Sequence, residues 1–220
     1  MSGATCNRYA TVLSAAWKWW SKAPRCWVRP EANPVAAYER KPDSPHREVT
    51  LSKAQRTALL DACEGELHAA VVIALLTGMR HGELKSLLWK NVKLHADKAE
   101  TLLTRTKNGK SRSVVFRGRA FEALKSLPRG IGNAPVFSEN VRNRNTLRSL
   151  WRKATKKAGL PDMRWHDLRH VAAQLQIEGG GNTNDIMLHL GHESPAASKR
   201  YQAIETSYRE KLADRAGEAL

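Results

Sequence analysis

The stretch Thr101–Phe116, TLLTRTKNGKSRSVVF, decides how this chain folds. Thr101–Arg105 and Ser113–Phe116 are short runs of β-prone residues, and Thr106-Lys107-Asn108-Gly109-Lys110 stands between them. Asn-Gly is a strong hairpin signal, because both residues tolerate a positive φ. The reading is an antiparallel hairpin with Lys107 at the lip of a tight turn. Lys110 is a rival, three residues on, for any role that needs an outward lysine. Elsewhere the apolar periodicity is helical. The expected fold class is therefore mainly α with a small antiparallel β-sheet.

Upstream of the hairpin, Thr50 or Ser52 can cap a helix running through Leu59 and Leu60. Leu67–Leu76 is apolar enough to be a helix buried all round, and Gly78 closes it. A further helix is expected with Leu84, Leu87 and Leu88 on one face. Downstream, Ala120–Leu127 reads as a short helix. Arg144–Ala158 carries Leu147, Leu150, Trp151, Ala154 and Ala158 on one stripe. Its other face holds Arg148, Arg152, Lys153, Lys156 and Lys157. His166–Ile177 places Leu168, Val171, Ala172 and Leu175 at helical spacing and ends at Gly179-Gly180-Gly181. Asn182–Leu190 is another helix. Ser194-Pro195 opens one that carries Tyr201, and Glu205–Leu220 reads as a polar helical tail.

The 220 residues include 37 basic and 21 acidic ones, a formal charge of +16. That excess is tolerable in a compact fold when an anionic partner compensates it, and nucleic acid is the favoured one. Cys6, Cys26 and Cys63 are scattered and form no CxxC pair. A disulfide scaffold or zinc site is not expected. The longest apolar run, Ala69–Leu76, is far short of the roughly 20 residues a bilayer span needs. A secretory start is not visible. The expectation is a soluble protein of the cell interior with no membrane partner.

Four segments hold polar residues with no packing role. They are Thr77-Gly78-Met79-Arg80-His81-Gly82-Glu83-Leu84, the hairpin turn with Lys107, His166-Asp167-Leu168-Arg169-His170, and Leu190-Gly191-His192 followed nine residues later by Tyr201. Taken singly, Arg80 reads as a surface arginine after a helix end, Lys107 as a turn lysine and Tyr201 as a half-buried aromatic. The pairs His166/His170 and His189/His192 have metal-like spacing, but neither has a third ligand nearby in sequence. Together, in this order, the segments resemble the tyrosine recombinase (phage integrase) family over about residues 49–204.

That resemblance implies a site built from Arg80, Lys107, His166, Arg169, His192 and Tyr201. Cleaving a phosphodiester builds negative charge on its non-bridging oxygens, and two guanidinium forks, Arg80 and Arg169, can clamp them. His166 and Arg169 share a helix face. His166 would hydrogen-bond the phosphate or handle a proton, and His192 would add another bond. Tyr201 would be the nucleophile, and Lys107 would protonate the leaving 5'-oxygen. Glu83 would orient an arginine or cap its helix, and His170 would be structural. No metal and no cofactor are implied.

The resemblance also implies an organisation. Residues 1–29 resemble the end of a helical core-binding domain, residues 30–47 read as a basic, proline-rich linker, and 48–220 as the catalytic domain. Arg40, Lys41, Lys110, Arg148, Arg152 and Lys156 are candidate DNA contacts. The partner would be double-stranded DNA, bound by a monomer that forms a homotetramer on two synapsed duplexes, with the 205–220 tail docking on a neighbouring protomer. Accessory DNA-bending or directionality proteins are possible partners. Val171 and Ala172 depart from the family, where a threonine and an aromatic are common. Two other functions fit the same residues. One is a type IB topoisomerase-like strand transferase, against which the compact spacing from His192 to Tyr201 argues. The other is a truncated integrase acting as a non-catalytic DNA-binding module.

Overall fold

The computed structural model describes residues 2–23, 30–42, 49–103 and 111–190. The chain divides into two compact units, Met1–Glu48 and Val49–Leu220.

The first unit is built on helix α1, Gly3–Trp20, capped by the Ser2 hydroxyl. Residues 33–41, read from sequence as part of a linker, fold back onto that helix. Asn33 donates to the Ser14 hydroxyl, and the Tyr38 hydroxyl donates to the Asn7 side-chain Oδ1. Asn7 also holds both the N–H and the C=O of Lys41. Val12, Leu13, Trp19 and Trp20 of α1 are exposed.

The second unit begins with a side chain acting as a strand partner. The Gln174 amide accepts from Leu51 N–H at 2.9 Å and donates to Leu51 C=O at 2.9 Å. Ser52 then starts helix α2, Lys53–Ala62, in a capping box with Gln55. Helix α3, Gly65–Thr77, is buried on nearly every side, as its unbroken apolar run requires. It forms the centre against which helices α5 (Arg119–Lys125) and α8 (Asp167–Glu178) pack. Helix α4, His81–Lys85, is a single short turn of helix. The expected continuation through Leu87 and Leu88 does not form. Instead Leu87 O accepts from Val136 N–H, and Leu88 bridges Pro135. Tertiary pairing has overridden helical spacing there.

The sheet is an antiparallel meander of β1 (Val92–Leu94), β2 (Lys98–Leu103) and β3 (Arg112–Arg117). Thr101 faces Val114 and Leu103 faces Arg112 across the β2–β3 pair. Ala99, Thr101 and Leu103 turn inward with Val114 and Phe116. The turn that carries Lys107 and Lys110 lies outside the described residues. Helices α6 (Glu139–Arg142), α7 (Arg144–Lys157) and α9 (Thr183–Leu190) complete the described unit. On α7, Leu147, Trp151 and Ala154 are buried, while Arg148, Arg152 and Lys156 are exposed.

Helix α3 ends on Gly78 in the left-handed region, at φ +62°. A Cβ built there would lie 2.1 Å from Leu190 Cδ2 and 3.7 Å from Ala172 Cβ. Two demands therefore fall on one glycine: the backbone conformation, and the close approach of α9. Gly78→Ala should lose at least about 2 kcal/mol of stability, from backbone strain plus overpacking against Leu190. Urea unfolding of the variant and the wild type checks this, and Gly65→Ala, with a comparable φ but open space around the new methyl, serves as the strain-only control.

Candidate active site

The corner following Gly78 positions Arg80. Arg80 is the N-cap of α4, and Glu83 reaches back so that its Oε2 accepts the Arg80 backbone N–H at 2.8 Å. Glu83 Oε1 accepts from Arg80 Nη1 at 3.1 Å. The same carboxylate bonds a second guanidinium, with Arg112 Nη2 at 2.8 Å from Oε2. Glu83 is 6% exposed, whereas the Arg80 side chain is 28% exposed. The carboxylate is thus the buried anchor, and Arg80 keeps an open side.

Burial alone would push the Glu83 carboxyl up. The nearby Arg112 charge, the Arg80 backbone N–H and the bond from Arg112 overcome it, and hold the group below its ordinary value.

Arg169 sits in the first turn and a half of α8 and is 5% exposed. Its Nη1 donates to Gly78 C=O at 2.7 Å, and its Nη2 donates to Leu190 C=O. Arg112 repeats this pattern one residue away, with Nη1 2.6 Å from His189 C=O. The last two carbonyls of α9 therefore each receive a guanidinium, a favourable place for cations at a helix C-terminus. His189 closes the junction, with Nε2 3.1 Å from Leu76 C=O. Its burial, and after that the Arg112 charge, lower the imidazole's affinity for a proton, and Arg169 adds to the effect against the Leu76 bond. A neutral imidazole donating to Leu76 fits these surroundings.

His166 stands at the N-cap of α8 and is exposed, with its ring edge-to-face to His170 at 5.8 Å. Trp165 packs edge-on against His81 and Trp151, so it fills the space behind this end of α8. The structure thus joins Arg80, Glu83 and Arg169 through the Gly78 corner, and puts His166 and His170 on the helix that carries Arg169. Lys107, Lys110, His192 and Tyr201 lie outside the described residues. Arg148, Arg152 and Lys156 line the exposed face of α7 in the same unit. Arg40 and Lys41 belong to the first unit, where both are exposed and Arg40 Nη2 bonds Thr11 Oγ1. Among the described residues no group of three or more His, Cys, Asp or Glu is placed to hold a metal ion. Among them, too, no helix is long and apolar enough to cross a membrane.

Sequence reading missed Arg112, and weighed His189 only as half of a metal-like pair with His192. Arg112 had a signal: it lies in phase with the inward residues Val114 and Phe116, where a charge is unexpected. For His189 the spacing from His192 was the signal, and it did not point to the bond with Leu76.

Because Glu83 carries a lowered carboxyl, its ionised form stabilises the fold above the ordinary carboxylate value of 4.5. That contribution disappears as pH falls through the lowered value. Wild type should exceed Glu83→Gln in thermal midpoint at neutral pH, with a gap that narrows in acid, below pH 4.5. Midpoints measured across pH 3–7 check this; a gap that stays constant would contradict the ion-pair assignment.

The profile of the phage integrase family matches residues 50–207. The shufflon-specific DNA recombinase of Escherichia coli is 32% identical over 180 residues, covering 80% of this chain and 45% of that protein. The integrase of Mycobacterium phage D29 is 28% identical, covering 72% of this chain and 50% of its own. The chain spans about half the length of these curated relatives. Among solved structures, the XerA recombinase superposes with a TM-score of 0.63 at 27% identity, over 80% of this chain and 66% of that one. The XerH recombinase bound to its difH substrate before cleavage gives 0.70 at 20% identity, over 97% and 64%. The mainly helical body, the small antiparallel sheet and the ordered motifs from Arg80 to Arg169 agree with the profile match, and the chain belongs to the phage integrase family.

Proposed function

We propose that this chain is the catalytic part of a site-specific DNA recombinase that cleaves and rejoins DNA through a 3'-phosphotyrosine. The observation that carries the reading is the pairing of Arg80 and Arg169 at one corner. Arg80 is held by Glu83, and Arg169 is held by the Gly78 carbonyl next to it. Guanidiniums fixed in advance by buried partners need little reorganisation when charge develops on a phosphate. Relatives of this chain are named recombinases and integrases, and one solved neighbour is bound to its DNA substrate.

In this reading Tyr201 Oη attacks the phosphorus and the bond to the 5'-oxygen breaks. Lys107 gives the leaving oxygen a proton. A phenol is mostly protonated at neutral pH, with an ordinary pKa of about 10, so neighbouring cations would favour its ionised form. His166 and His192 hydrogen-bond the phosphate with Arg80 and Arg169. The phosphotyrosine conserves the bond, and a 5'-hydroxyl of a second strand reverses the step without a cofactor. Four protomers on two duplexes, with residues 205–220 docked on a neighbour, complete the strand exchange, with DNA-bending or directionality proteins as accessory partners. Arg40, Lys41, Lys110, Arg148, Arg152 and Lys156 contact the DNA backbone, and the protein works at the bacterial nucleoid.

The test is covalent trapping on nicked duplexes tiled from DNA flanking the gene. Wild type should form a protein–DNA adduct and Tyr201→Phe none. Arg80→Ala or Arg169→Ala should slow adduct formation by about 10²–10³-fold, the range for losing one preorganised donor. DNA binding without an adduct would instead favour a non-catalytic module. Supercoil relaxation without paired sites would favour the topoisomerase-like reading.

The α7 stripe gives a separate prediction. Each phosphate contact removed from duplex DNA should reduce the slope of log affinity against log salt by about 0.9. Arg148→Gln, Arg152→Gln and Lys156→Gln together should flatten that slope by up to about 2.7 in a fluorescence-anisotropy titration. An unchanged slope would make the stripe a solvated face.

A further inference from the structure

We propose that Arg112 is a positioning residue of this site: it ties Glu83, and through Glu83 the Arg80 guanidinium, to the carbonyl end of α9. Strand β3 turns Arg112 inward in phase with Val114 and Phe116, and its side chain is only 10% exposed. Its fork is divided. Nη2 takes Glu83 Oε2 at 2.8 Å, and Nη1 takes His189 C=O at 2.6 Å. Its Nε is buried with no acceptor among the described residues. A buried arginine with one orphaned nitrogen carries a desolvation cost, which the bonds at its two other nitrogens offset. Those ends lie on different elements, α4 and α9, and α9 in turn packs through Leu190 on Gly78, the residue that ends α3.

The consequence for Arg80 follows from the shared carboxylate. Glu83 Oε2 accepts both the Arg80 backbone N–H and Arg112, while Oε1 accepts the Arg80 side chain. Without Arg112, burial of Glu83 is opposed by Arg80 alone. The carboxyl then protonates more easily, and a protonated carboxyl holds Arg80 less well. Arg112 therefore keeps Glu83 ionised as well as oriented. Lysine can supply the charge. It lacks the planar fork that reaches two acceptors at fixed spacing.

The activity readout of this proposal rests on the recombinase reading; a second readout does not. The full chain is compared as wild type, Arg112→Lys, Arg112→Met, Glu83→Gln and the Arg112→Met/Glu83→Gln double variant. Adduct formation on the nicked duplex is timed from pH 6 to 9. Arg112→Met should fall by tenfold or more and acquire a steeper loss toward pH 6. Arg112→Lys should keep the wild-type pH profile and recover part of the rate. The double variant should lose the new acid limb, because no carboxyl remains at position 83 to titrate. A merely structural role would lower the rate equally at every pH.

In parallel, the Arg80 Nε–H resonance of the DNA-free protein is followed, assigned by its disappearance in Arg80→Lys. It should be sharp in wild type and Arg112→Lys, and exchange-broadened in Arg112→Met. A wild-type rate, profile and Arg80 resonance in Arg112→Met would overturn the proposal. So would a pH-independent loss with an unchanged resonance. If wild type itself forms no adduct, the recombinase reading falls, and the resonance alone decides the role of Arg112.

Discussion

One buried carboxylate organises the corner where α4 begins and β3 approaches. Glu83 accepts the backbone N–H that begins α4, the side chain of Arg80 and the side chain of Arg112. An ionised group out of water is tolerated only when its lone pairs are well bonded, and here three donors from two elements meet that need. Remove the carboxylate, and the helix start, the direction of Arg80 and the hold of β3 on the corner would all loosen together.

Around that anchor the backbone does a second job. Arg169 and Arg112 spend part of their donor capacity on the last carbonyls of α9. The helix end is satisfied by cations, and the cations are immobilised by the helix end. His189, whose affinity for a proton is lowered by burial and by Arg112, hydrogen-bonds Leu76 across the same junction. The end of α3 and the end of α9 are therefore joined by side chains bonded to backbone carbonyls of both helices.

Much of this was legible in the residues. A cap at Thr50 or Ser52 announces α2, with the structure choosing Ser52, the apolar run through Leu76 announces α3, and the stripe from Leu147 to Ala154 announces α7, because caps and periodicity are local signals. The order of Arg80, His166 and Arg169 pointed to the family. What local signals could not supply was long-range pairing. Leu87 and Leu88 have helical spacing with Leu84, yet their backbone pairs with Val136 and Pro135. Strand β1 is three residues long and α6 four, too short for a periodic pattern. Prolines in 30–47 suggested a loose tether, whereas Asn7 and Ser14 hold residues 33–41 to α1 through polar bonds with no apolar period to reveal them. Arg112 was visible only as a charge on the wrong side of a strand.

Gly78, Ala172 and Leu190 meet within ordinary contact distance or less of a single missing methyl group. These three positions share one small space. A larger residue at 78 or 172 asks for a smaller one at 190, and a smaller residue at 190 alone leaves a hollow beneath the arginines. Substitutions among the three should combine non-additively, since neighbours that share one space cannot change independently. The alanine at 172 is then half of a paired choice: its small size leaves room for the leucine at 190 against the glycine.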